Sequence, residues 1–205
     1  MMVDFTGTAE EKAFKSKIHQ MLLLNELGGV EARAYQLGIG DGKSGYSFGF
    51  AQWDLVSNNQ TAWGILHDIL QNAIVWNDFS FEHEYVIDDG DPNTDRSHDT
   101  TIEALKNKAK YRVGDPRSFS SDDVVHINTA LSSEYGKNKI DTMHDAHLGG
   151  DLIPWVKNVI ASVTDAQDRA FLQSDLGSLF LADVKNQFKL KPVNNGLAQF
   201  VCEKQ

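Results

Sequence analysis

Gly28 and Gly29 end an amphipathic run that starts near Thr8, and the chain beyond them is interrupted by glycine too often to continue as helix. Phe14, Ile18, Met21, Leu22 and Asn25 recur at three- and four-residue intervals, which puts them on one face of a helix from about Ala9 to Glu26. Thr8 and Glu11 have the spacing of a capping box, which gives partners to amides that the first helical turn leaves bare. The glycine pair stops the helix because the left-handed turn that closes its last carbonyls costs glycine little. Over residues 35–50, glycines alternate with Tyr35, Tyr46 and Phe48 in short stretches, the pattern of a small hairpin or three-stranded sheet.

Helical periodicity dominates the rest of the chain. A second helix is expected after Ser57, Asn58 and Asn59, running to about Val75 and burying Ile65, Ile69, Leu70 and Ala73. Asp88 to Pro92 reads as a turn, Thr101 to Lys110 as a short helix, and Asp115-Pro116 as a break. Ser120 to Asp123 caps a helix to about Tyr135. Asp151–Val163 and Asp165–Phe188 give two more, the longer with Leu172, Leu176, Leu179, Phe180 and Val184 in the core, and Asn194–Cys202 a last short one. No repeat of fixed period is visible. The expected fold class is α+β, mostly α, with the 205 residues as a single domain of two lobes.

Composition removes several function classes. The net charge of −10 opposes nucleic-acid binding, which needs a basic face, and also a polybasic membrane tail. The apolar run Met21 to Leu24 is too short for stable membrane insertion. Asp4, Glu10 and Glu11 stand where a signal peptide would be basic, so no signal peptide is expected and the chain is expected in the cytoplasm. The single Cys202 excludes an internal disulfide. His144 and His147 have ligand-compatible spacing but no third strong partner nearby, and Asp89, Asp91, Asn93 and Asp95 lack the glycine and closing glutamate of a calcium loop. No metal or cofactor is expected. Gly38-Ile39-Gly40 is not framed as a dinucleotide fingerprint, and no Gly-x-Ser-x-Gly elbow is present.

One glutamate stands out. Glu26 follows the apolar Met21 to Leu24 and precedes Gly28-Gly29, so one side of it is apolar and the other leaves room for a close approach. Cleaving a glycosidic bond needs a carboxylic acid that stays protonated long enough to protonate a poor leaving oxygen. A second group must stabilise the oxocarbenium-like transition state or position water, and Asp41 and Ser47 on the following hairpin are candidates. Gln52 and Asp54 can bind sugar hydroxyls and N-acetyl groups, and Tyr46 and Trp53 can offer a ring to a sugar face. Glu31, the competing glutamate, is expected to face solvent.

Residues 26–54 resemble the active-site region of phage-type lysozymes, the endolysins that cut the glycan strands of bacterial cell walls. The segment Asp41 to Gly49 matches the family's hairpin, with Ser47 in place of its threonine. Fourteen residues separate Glu26 from Asp41, more than in that family, whereas the five between Asp41 and Ser47 agree with it. Gly49 to Asp54 is also similar to the Gly-x-x-Gln motif of goose-type lysozymes and lytic transglycosylases. The resemblance spans roughly residues 8–60. It implies a lysozyme-like fold, with a small N-terminal β-hairpin or sheet and a helical lobe, and a cleft between residues 26–54 and the helical remainder. Glu26 would be the general acid, Asp41 or Ser47 would position water, and Tyr46, Gln52, Trp53 and Asp54 would bind substrate. The implied activity is peptidoglycan cleavage between N-acetylmuramic acid and N-acetylglucosamine, leading to host cell lysis. By family habit the enzyme would be a monomer released by a holin from the host cytoplasm to act in the periplasm. Two alternatives stay open: a lytic transglycosylase, with Glu26 as acid and then base, and an inactive glycan-binding or structural protein that keeps the fold.

Overall fold

The computed structural model describes residues 3–39, 45–56, 59–75 and 102–188. Among them, in chain order, are α1 (Ala9–Leu27), a 3₁₀ turn (Glu31–Tyr35), β1 (Gly38–Ile39), β2 (Tyr46–Phe48), β3 (Trp53–Asp54), α2 (Asn59–Val75), α3 (Ile102–Lys108) and α4 (Ser121–Ser132). After these come α5 (Glu134–His147), a π-helical turn (Leu148–Leu152), α6 (Ile153–Ser162), α7 (Ala166–Gln173) and α8 (Asp175–Phe188). The described residues are mostly helical, with one small three-stranded antiparallel sheet. Asp41, the Asp88–Pro92 turn and the Asn194–Cys202 helix lie outside the described residues. No helix among the described residues is long and apolar enough to cross a membrane.

The chain divides into two compact units, Met1–Gly29 with Met143–Gln205, and Val30–Thr142. In the first, α1 begins and ends as its sequence predicts. Thr8 and Glu11 form both halves of the capping box, and Gly28 closes the helix in the left-handed conformation at φ 60°. The Gly28 amide donates to Leu24 O at 3.2 Å and the Gly29 amide to Leu23 O at 2.9 Å. The buried face carries Lys15, Ile18, Leu22 and Leu27. Asn25, expected on that face, is exposed, and its side-chain amide donates to Asp183 at 3.1 Å.

Helices α1 and α8 run side by side in the same direction. Lys17 pairs with Asp175 at 2.7 Å, Asn25 with Asp183, and Glu26 with Asn186 at 2.9 Å, a nearly constant offset along both chains. Their core is shared with Leu148, Leu152, Val156, Val159, Leu172 and Leu181, all buried. The π turn has a local cause. Pro154 lacks the amide that would continue the α ladder, and the Ile153 amide reaches back five residues to Leu148 O.

Two helices differ from the sequence expectation for one reason. The helix expected to run to Tyr135 stops at Ser132 and restarts as α5, and the expected Asp165–Phe188 helix is split into α7 and α8. At both breaks a serine leaves the helix in extended backbone, Ser133 at ψ 163° and Ser174 at ψ 160°. Each hydroxyl donates to the carbonyl three residues back, Ser133 to Ala130 at 2.7 Å and Ser174 to Phe171 at 2.6 Å. Each then accepts the amide of the glycine three residues on, Gly136 at 3.0 Å and Gly177 at 3.2 Å. Serine thus acts as C-cap of one helix and N-cap of the next.

A Cβ on Gly136 or Gly177 would strike the backbone of the preceding helix, at Ala130 O and Phe171 O respectively. Gly177→Ala therefore lowers stability by about 1–3 kcal/mol, the cost of overpacking against atoms that cannot move aside. Urea unfolding followed by circular dichroism measures it. The break also resets the helical phase. Leu176 and Phe180, expected in the core, are 70% and 52% exposed, while Ser178, Leu181 and Ala182 are buried.

In the second unit the sheet has the order β1-β2-β3. Gly38 faces Ser47 and Ser47 faces Asp54, while Phe48 faces Trp53. Facing residues lie on the same side of the sheet, so Ser47 and Asp54 share one face and Tyr46, Phe48 and Trp53 the other. The apolar core of this unit joins Phe48, Phe50 and Leu55 to Leu66, Ile69 and Leu70 of α2, Leu105 of α3, and Ile127 and Leu131 of α4, all fully buried. Ser120 caps α4, as expected, and does so through a reciprocal capping box with Asp123.

Candidate functional site

Glu26 sits in the last turn of α1, in the first unit, half-buried. Asn186 Nδ2 donates to its Oε1 at 2.9 Å and Gln187 Nε2 to the same oxygen at 2.6 Å. Burial pushes the Glu26 carboxyl above the usual carboxylate pKa, the Asn186 hydrogen bond opposes this, and the negative charge of Asp183 adds to it. Both amide donors converge on Oε1, so a proton is accommodated on Oε2. Such a carboxyl is an acid with one oxygen oriented and the other able to donate. The sequence did not single out Asp183, Asn186 or Gln187, because only the parallel course of α8 beside α1 brings them to Glu26.

The hairpin candidates belong to the second unit. Ser47 is buried, and its hydroxyl donates to Gln52 Oε1 at 2.7 Å. Gln52 Nε2 donates to Gly49 O at 2.9 Å. Gln52 is a non-glycine residue in the left-handed region, at φ 47°, which its doubly tied side chain maintains. Gly49, at φ 76°, leaves no room for a Cβ, which would strike the Trp53 ring. The Gly38 position lets Gln52 approach, since a Cβ there would come within 3.2 Å of Gln52 Oε1. Asp54 stands opposite Ser47 and accepts the Val56 amide at 2.7 Å. A hydroxyl, an amide and a carboxylate are thus gathered on one side of the sheet. Tyr46 and Trp53 are buried, Tyr46 against Phe119 with centroids 5.2 Å apart and Trp53 edge-on to Phe48 at 5.7 Å.

The second unit holds another perturbed carboxyl. Tyr35 Oη donates to Asp141 Oδ1 at 2.8 Å. Burial raises the Asp141 pKa, the Tyr35 hydrogen bond opposes it, and the charge of Glu31 raises it further. Asp141 lies in a helix the sequence did not delineate. Among the described residues no group of three or more His, Cys, Asp or Glu is placed to hold a metal ion. Instead, Asp145 is committed to Lys15 and Thr6, and His144 lies against His19.

No protein-family model, curated protein or solved structure matches this chain.

Proposed function

We propose that this protein is a lysozyme-like endolysin that cleaves the β-1,4 bond between N-acetylmuramic acid and N-acetylglucosamine in peptidoglycan, with Glu26 as general acid. The observation that carries this reading is the state of Glu26: a half-buried carboxyl at a helix end, its proton affinity raised by burial and by Asp183, its Oε1 held by two amides. The Glu26 proton passes to the leaving glycosidic oxygen as the bond to the anomeric carbon breaks. Water then bonds to that carbon, and its proton returns to the glutamate. Bacterial peptidoglycan is the expected partner, reached through a holin.

Mass spectrometry of fragments released from purified peptidoglycan tests the reading. Reducing N-acetylmuramic acid ends are expected. Ends in the 1,6-anhydro form would instead assign a transglycosylase, in which the sugar's own C6 hydroxyl replaces water. Binding to peptidoglycan with no fragments released would sink the enzymatic reading in favour of a glycan-binding protein.

A further inference from the structure

The segment before α1 is anchored over two facing imidazoles, His19 half-buried and His144 buried. His19 Nδ1 and His144 Nε2 are 3.2 Å apart, and His144 is fully buried. Phe5, itself buried, covers both rings, with centroids 5.6 Å from His19 and 6.2 Å from His144. Val3 is buried beside it in sequence. Thr6 supplies the latch: its amide donates to Asp145 Oδ1 at 3.2 Å and its hydroxyl to Asp145 Oδ2. Lys15 donates both to Asp145 and to the Thr6 carbonyl, the latter at 3.0 Å.

We infer that residues 3–7 form an acid-releasable strap, closed over the His19–His144 pair and opened when that pair takes up protons. The contact between the two facing nitrogens holds a single hydrogen. A proton on His144 can keep that hydrogen bond but places a positive charge in a buried site covered by Phe5 and close to the Lys15 ammonium. A second proton would put N–H groups on both nitrogens, facing each other across 3.2 Å. Lifting the strap gives the buried His144 ring access to water.

The charged groups around the pair favour release at acid pH. α1 contributes Lys15 and His19, the end of α5 contributes His144, Asp145 and His147, the π turn Asp151, and α8 Lys185. Burial first, then the positive charges of His19 and His147, push the His144 pKa down to about 3 in the covered state, and the Asp145 charge only partly opposes this. Burial also lowers His147, with Asp151 opposing and Lys185 adding. Against its own burial, Asp145 is held below the usual carboxylate range by Lys15 and Thr6. The latch therefore stays charged through the range in which an uncovered histidine, with a pKa of about 6.5, titrates. Protons thus bind the open state better than the closed one, so closure is complete above a pH of about 6.5 and weakens as pH falls below it.

Amide exchange at pH 7.5 and pH 5.0, with each rate normalised to its intrinsic value, tests the strap. One imidazole that is neutral when covered and ordinary when uncovered gives about a 30-fold loss of protection at the Thr6 amide between these pH values. Amides of Leu22 and Val159 keep theirs. Unchanged protection at Thr6, or equal loss at all three amides, overturns the proposal. His144→Phe, which keeps an aromatic ring under Phe5, should remove the pH dependence, and its persistence would overturn the assignment to His144. Should that variant fail to fold, the wild-type ring-proton resonances still decide: a His144 that titrates near 6.5 while Thr6 stays protected refutes the strap. None of these outcomes depends on the glycan reading.

Discussion

Glu26→Gln is expected to lower the rate of peptidoglycan cleavage by about 10²- to 10⁴-fold, the usual contribution of a positioned general acid. The fold should tolerate it. Glutamine keeps an oxygen where Asn186 and Gln187 donate, so the links between α1 and α8 survive. Only the ability to give up a proton is lost. Turbidity loss of permeabilised Gram-negative cells measures the first effect, and the thermal unfolding midpoint checks the second. Because an acid must be protonated to act, the wild-type rate should fall as pH rises through the Glu26 pKa, which burial places above its ordinary 4.5. Asp141→Asn is the matched control, since Asp141 is also half-buried and also raised. Lysis lost with Asp141→Asn and kept with Glu26→Gln would move the acid to the second unit.

The largest effect on stability is expected at Asp145. Lys15 and Asp145 form an ion pair whose side chains are 7% and 12% exposed. Asp145→Ala leaves the Lys15 ammonium buried with, among the described residues, only the Thr6 backbone carbonyl and hydroxyl as acceptors. Breaking a buried pair from one side costs about 3–5 kcal/mol, a large part of a domain's total. Removing both charges, as in Lys15→Met with Asp145→Leu, should recover most of that loss, because no unpaired charge remains. Urea unfolding of the two single variants and the double variant completes the cycle. A double variant no more stable than Asp145→Ala would show that Thr6 and the backbone around it, and not the uncompensated ammonium, carry the effect.

Lys15 also shows where a sequence becomes hard to read. On periodicity alone a lysine in the second turn of α1 belongs to the solvent face, yet it is buried. Its acceptor, Asp145, is 130 residues away. The ammonium also lies over Gly149 of the π turn, where a Cβ would approach Nζ to 3.1 Å. His144 is similar. Its spacing from His147 is compatible with ligation but lacks a third partner nearby, and nothing local shows that the fold buries it against His19 and Phe5.

The features legible in the chain alone are local ones. Thr8 with Glu11, Ser120 with Asp123, and Gly28 act on backbone within a turn of themselves, so their caps could be read without a fold. The short alternation around Tyr46 to Phe48 likewise announced a small sheet. The serine corners at Ser133 and Ser174 were local too, but a serine inside a helical pattern does not reveal that its hydroxyl will serve two helices at once. Missing them shifted the phase of α8 and put Leu176 and Phe180 in a core they do not enter.

The setting of Glu26 comes from long-range contacts. The glutamate and its two glycines were visible in the chain, but Asp183, Asn186 and Gln187 come from a helix about 160 residues later. The proton affinity of a carboxyl depends on what replaces the water around it, and residues distant in sequence supply that here.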